Sequence, residues 1–185
     1  WWIVLREQRV FRSVARTPLT RRLRPRVVVA LAIVVAQIAL GGWSMVNYAG
    51  LACPDFPTCQ NTYWPTADFV DGFTLWRDVG PAYESELLSL PAATAIHMAH
   101  RAGALITVLY VGWLALHLLR VGFQENLCRY GLLLLVVLSC ATALGITEAV
   151  ARLPLAAGVA HNAVAALLLM SLITLYHVVR TPRNL

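Results

Sequence analysis

Five histidines and four cysteines are the residues of this 185-residue chain best able to carry chemistry. Imidazole and thiolate ligate metals, and imidazole also moves protons near neutral pH. His97, His100, His117, His161 and His177 all lie in or beside strongly apolar stretches. An imidazole in such surroundings is costly until its nitrogens find partners, so each is a candidate site residue. Cys53 and Cys59 stand six apart in Cys53-Pro54-Asp55-Phe56-Pro57-Thr58-Cys59. Cys128 sits in a short link and Cys140 inside an apolar run, where cysteine behaves as a small hydrophobe.

The elements that must position these groups follow from composition. The chain is 59% apolar and 13% charged, with mean hydropathy +0.66, and an ordinary soluble domain carries about twice that charge. A water-soluble globule is excluded. Residues 27–46, 95–119, 131–150 and 157–179 are each long enough, at about 1.5 Å per residue, to cross about 30 Å of hydrocarbon. The expected fold is an all-α integral membrane four-helix bundle with one long outer loop, residues 49–94. Residues 27–185 form the four-helix half-domain, and residues 1–26 a basic segment on the inner side. The apolar stub at residues 1–5, with no initiating methionine, reads as the end of a preceding helix in a longer protein.

Charge placement gives the orientation. The net charge of +6 comes from 15 cations, all arginine, against nine acids. Twelve arginines fall on one side, eight of them between Arg6 and Arg26 with Arg120, Arg129, Arg180 and Arg183, against Arg77 and Arg152 on the other. The termini are therefore expected inside and the cysteine loop outside. A basic balance of this kind reports topology and gives no reason to expect a nucleic-acid partner. The loop collects Asp55, Asp68, Asp71, Asp78, Glu84 and Glu86 together with Phe56, Tyr63, Trp64, Phe69, Phe73, Trp76 and Tyr83, and reads as a folded cap on the bilayer surface.

Depth then separates the histidines. His100 lies about 7 Å below the outer end of the second span and His161 about 6 Å below that of the fourth. Two imidazoles at one depth on different helices are what bis-histidine ligation of a haem iron requires. His117 and His177 share a depth near the inner end, but they point about 260° and about 160° around their helices from His100 and His161. They read as interfacial, polar edges toward the headgroups. His97, three residues before His100, shares its face and is the competing ligand, or a contact for a propionate or substrate. Arg101 calls for a carboxylate, either a haem propionate or Glu148. Cys53 and Cys59, in an oxidising compartment, form either a small disulfide loop or two free thiols near a turn. Gly41, Gly42, Gly103, Ala104, Gly145, Ala160 and Ala163 leave room for a flat ligand, or serve ordinary helix packing.

Leu40-Gly41-Gly42-Trp43, then Gly50-Leu51-Ala52-Cys53-Pro54-Asp55-Phe56-Pro57-Thr58-Cys59, then Ile96-His97-Met98-Ala99-His100-Arg101, then Leu153-Pro154-Leu155 with Ala160-His161-Asn162, resemble the carboxy-terminal half of the haem A synthase family. The resemblance covers essentially the whole chain. It implies two similar four-helix halves, each with a histidine pair on its second and fourth helices and a cysteine pair in its first outer loop. The implied activity is oxidation of the C8 methyl of haem O to the formyl of haem A, as part of cytochrome oxidase cofactor biosynthesis. Carried onto this chain, His100 and His161 become axial ligands of one haem, with Arg101 and His97 beside it, and Cys53 and Cys59 a disulfide. Where the other half is expected to carry a glutamate three residues before the histidine of its His-Arg pair, this chain has His97. The resemblance therefore implies the half with a permanent haem b, relaying electrons, and leaves the catalytic residue of this chain unassigned. It also implies as partners an amino-terminal half, haem O, haem O synthase and an electron donor, in a bacterial plasma membrane or the mitochondrial inner membrane. The competing reading is a stand-alone transmembrane b-type cytochrome.

Overall fold

The computed structural model describes residues 1–7, 17–75, 88–121 and 127–180. Helix α1 spans Trp2–Glu7 and α2 Pro18–Val46; a single 3-10 turn at Ala49–Leu51 and the short α3, Phe69–Gly72, lie in the loop that follows. Three long helices complete the chain: α4 Leu90–Val121, α5 Cys128–Val150 and α6 Leu155–Arg180. No strand is present among the described residues. α2, α4, α5 and α6 are long and apolar enough to cross a membrane, where a spanning segment must satisfy its own backbone hydrogen bonds and the helix does so within one segment. The chain is an all-α membrane bundle.

Each helix contains its expected span and runs past it. α2 shows why: its start is set by a capping box, not by apolarity. Thr17 N donates to Thr20 Oγ1 at 3.0 Å and Thr20 N to Thr17 Oγ1 at 3.3 Å, and Pro18 takes the first helical position, where no N–H is needed. Arg21, Arg22, Arg24 and Arg26 therefore ride on the helix as its first turns.

The four long helices pack as a closed square. α2 and α5 each contact both α4 and α6, which leaves α4 and α6 diagonally opposite. Burial is uneven along the axis. Away from the cysteine loop, Leu23, Val27, Leu114, Leu118, Leu134, Leu172 and Leu175 are at most 1% exposed and belong to one apolar core. Here α4 and α5 approach closely enough that a Cβ on Gly131 would sit 2.7 Å from the Ala115 carbonyl oxygen. At the loop end Ala49, Ala52, Ala93 and Ile96 form a second, small cluster under the cap. Between the two lies a level at which no residue is buried, comprising 35–43, 98–106, 139–148 and 155–167.

Two expectations change. His177, expected at the headgroups, is buried at 9% exposed, because α1 packs on α6 at that end: Trp1 Nε1 donates to Thr174 Oγ1 at 2.9 Å and Leu5 is buried. Cys140, expected inside, is exposed on the outer surface of α5. Of the residues assigned to the cap, Trp76, Arg77, Asp78, Tyr83, Glu84 and Glu86 lie outside the described residues, as do Arg9, Arg12, Arg16 and Arg183.

Candidate functional site

The level without buried residues is where His100 and His161 stand. His100 on α4 lies against Gly41 of α2, where a Cβ would meet its Cε1 at 3.2 Å; His161 on α6 lies against Gly145 of α5, where a Cβ would meet its Cε1 at 3.1 Å. Each imidazole thus rests on a glycine of the next helix around the square. The two come from diagonally opposite helices. His161 Nδ1 is buried without a hydrogen-bond partner. Such a nitrogen forfeits the solvation it has in water, and native structures rarely leave one so without a purpose. α5 and α6 are fitted reciprocally, since Gly158, one turn before His161, meets the Glu148 carboxylate: a Cβ there would lie 3.2 Å from Oε1.

Charge-based reading of the sequence passed over one residue. Gln37, inside the first span, places its Nε2 at 3.1 Å from His100 Nδ1 and donates at 3.1 Å to the His100 carbonyl oxygen. The Gln37 Oε1 is buried without a partner and occupies the place a side chain at Gly103 would need. The available signal was a lone amide in an otherwise apolar run. An amide nitrogen only donates, so in this arrangement Nδ1 accepts and the His100 proton lies on Nε2; a ring ligating through Nε2 needs the amide oxygen turned to Nδ1 instead.

His97 does not share that level. It is buried at the cap, and its Nδ1 donates to the Ala49 carbonyl oxygen at 3.0 Å. A carbonyl only accepts, so the proton is on Nδ1 and the lone pair on Nε2, a tautomer competent for ligation through Nε2.

Arg101 finds its partners in the cysteine loop. The sequence led us to expect a carboxylate; instead Nη1 donates to Thr58 O at 2.8 Å, and Nη2 to Cys53 O at 3.0 Å and Asp55 O at 2.7 Å, with the guanidinium 5.7 Å from the Phe56 ring centre. A folded loop turns several carbonyls toward one point, which sequence spacing does not reveal. Cys53 and Cys59 are disulfide-bonded, Cα atoms 4.5 Å apart. Within the loop Asp55 is the organiser: its carboxylate accepts from the Thr58 hydroxyl, from Gln60 N at 2.7 Å and from Asn61 N at 3.0 Å. The Thr58 hydrogen bond, then those from the loop amides, hold its pKa below the usual carboxylate value against an opposing desolvation. Gln60 Nε2 in turn donates to Ala52 O at 3.0 Å and to Thr94 Oγ1 at 2.8 Å on α4. Trp43 Nε1 donates to Gly72 O at 3.0 Å, and Asp68 N to Pro91 O at 3.0 Å. The described part of the cap is folded and fastened to the head of α4.

At the other end His117 Nε2 lies 2.9 Å from Arg26 Nη1. Arg26 can only donate, so the ring accepts there.

Residues 1–173 match the family model described as cytochrome oxidase assembly protein, COX15-CtaA. The chain is similar to a protein of Shewanella oneidensis named heme A synthase, with 37% identity over 164 residues, which is 89% of this chain and 49% of that protein. It thus spans about half the length of the curated relative it matches. No solved structure matches the chain.

Proposed function

Because the chain belongs to the COX15-CtaA family of cytochrome oxidase assembly proteins, and so to haem A biosynthesis, we propose that it is the haem b-binding carboxy-terminal half of a haem A synthase. In this reading His100 and His161 ligate the iron, and the whole enzyme converts haem O to haem A. The observation that carries it is the pair of imidazoles on diagonal helices, each seated on a glycine, at the one level of the bundle without buried side chains.

The residues present fit a haem. The His161 Nδ1 is buried and unpartnered, Gly41 and Gly145 carry no side chain where the two rings rest, and imidazole suits iron. A haem held by two imidazoles supplies reversible one-electron chemistry. The work of the chain is then positioning. Gln37 orients His100, Arg101 and His97 fix the cysteine loop over that end of the bundle, and the apolar core holds the four helices in register below. His97 stands where the other half is expected to have a glutamate, which supports an electron-relay role for this half. The arginines at the ends of α2, α4 and α6 support termini inside and the cysteine loop outside, in a bacterial plasma membrane or the mitochondrial inner membrane. An amino-terminal half, haem O, haem O synthase and an electron donor are the partners this reading requires.

The test is expression of the complete protein with haem O available. Haem A in the extracted pigments, with a low-spin b-type spectrum in the purified protein, is the expected outcome. A b-type spectrum without haem A would leave a b-type cytochrome, and no Soret band would remove haem binding altogether.

A further inference from the structure

One face of α4 remains unused by this site. Ile106, Leu109, Tyr110 and Trp113 line an apolar groove of about 460 Å³ on the outside of the bundle. Leu109 is 64% exposed and Trp113 45%. These positions follow the spacing of a single helical stripe that continues into His117 and Arg120. Tyr110 and Trp113 rings are 5.6 Å apart, and Trp113 and His117 are stacked at 5.7 Å. Arg26 of α2 closes the end of the groove: its guanidinium lies 5.4 Å from the Trp113 ring centre and donates to His117, while Tyr110 Oη donates to the Arg26 carbonyl oxygen at 3.2 Å.

The charge here is unbalanced. Arg26 donates to the His117 imidazole and Arg120 follows His117 by three residues along the same stripe, and neither arginine forms an ion pair with an acid among the described residues. Arg21, Arg22 and Arg24 add three more cations on the first turns of α2. An apolar, aromatic-walled groove running along a membrane helix to two arginines without an acid partner among the described residues is complementary to one kind of molecule: an acyl chain ending in an anionic phosphate.

We propose that this groove is a binding site for an anionic phospholipid, its acyl chain along Ile106, Leu109 and Trp113 and its phosphate between Arg26 and Arg120. The groove shares no residue with the histidine pair, and its arginine end lies at the opposite end of the bundle. The aromatic rings hold the chain by apolar contact, and Arg26, already oriented by His117 and by its contact with the Trp113 ring, keeps donors for the phosphate.

The test uses the purified protein in phosphatidylcholine vesicles containing a minor fraction of brominated phosphatidylglycerol or, in parallel, the same fraction of brominated phosphatidylcholine. The chain has six tryptophans, so the Trp113 signal is the difference between the native protein and Trp113→Phe. Bromine on the anionic lipid is expected to quench that component well above bromine on the neutral one, since each arginine near an anionic lipid surface favours it about fivefold. The preference is expected to vanish in the Arg26→Gln, Arg120→Gln pair and to survive in Arg26→Lys, Arg120→Lys, which keeps the charge. Equal quenching by the two lipids, a preference that persists in the glutamine pair, or its loss in the lysine pair would overturn the proposal. Quenching by neither lipid would overturn it too, and would show the groove covered by protein.

Discussion

The two halves of the bundle are built from the same four helices on opposite principles. In the half nearer the termini, aliphatic side chains from α2, α4, α5 and α6 interlock, with Leu23, Val27, Leu114, Leu118, Leu172 and Leu175 fully buried. In the half nearer the cysteine loop, glycines stand where such side chains would go, and polar groups (His100, His161, Gln37, Glu148) point into the gaps. Side-chain burial is concentrated away from the candidate site. A bundle that spends side-chain volume on one half can hold polar groups in the other without collapsing onto them, as long as both are cut from continuous helices.

The contrast is open to direct attack. Its largest expected break is His161→Ala, which should abolish the low-spin haem spectrum while leaving the helical circular dichroism of the detergent-purified protein unchanged; a retained spectrum would remove His161 from the ligand pair. Comparison of His100→Ala with His97→Ala in the same assay separates the two α4 candidates, and normal haem in His100→Ala would transfer ligation to His97. In the packed half the converse holds. Leu172→Ala, at a fully buried position, should cost about 2–4 kcal/mol in reversible unfolding, with the absorption maxima of the remaining folded protein unmoved. A spectral shift there would mean that the halves are not separable.

Smaller changes sharpen the boundary. Gly145→Ala places a Cβ 3.1 Å from the His161 ring, so the ring must give by a few tenths of an ångström; the expected result is a shifted electron paramagnetic resonance signal of the low-spin iron with the melting temperature unchanged. The smallest effect belongs to Asp55. Its folded-state pKa is below the unfolded value, so its contribution to loop order is present above the ordinary carboxylate pKa and is lost as pH falls through the lower, folded value. Amide exchange at Gln60 and Asn61, corrected for intrinsic rates, should stay slow from neutral to mildly acid pH and rise only in strong acid. Asp55→Asn should remove that pH dependence, leaving His161 and its spectrum unaffected.

The membrane spans were legible in the sequence, because hydropathy and helical rise are properties of single segments. What was not legible needed two segments at once. The capping box at Thr17 extends α2 through arginines that apolarity alone would exclude. Gln37 carries no charge and is marked in its own segment only as a lone amide; its meaning comes from His100 on another helix. Arg101 reads as a residue in need of a carboxylate until the loop is folded and three carbonyls converge on it. His177 reads as interfacial until α1 is laid over α6.

That convergence on Arg101 also sets a timescale. Loops without such anchors move in nanoseconds to microseconds. A loop whose own backbone is held by a guanidinium must surrender three charge-assisted hydrogen bonds, each worth about 1.5–3 kcal/mol, before it swings away. Such openings belong to the rare local-unfolding events of a protein and not to its everyday fluctuations. The disulfide loop is therefore a fixture of α4, turning and tilting with the helix that carries His100, and any ligand that comes and goes at that histidine does so on a route that leaves this roof in place.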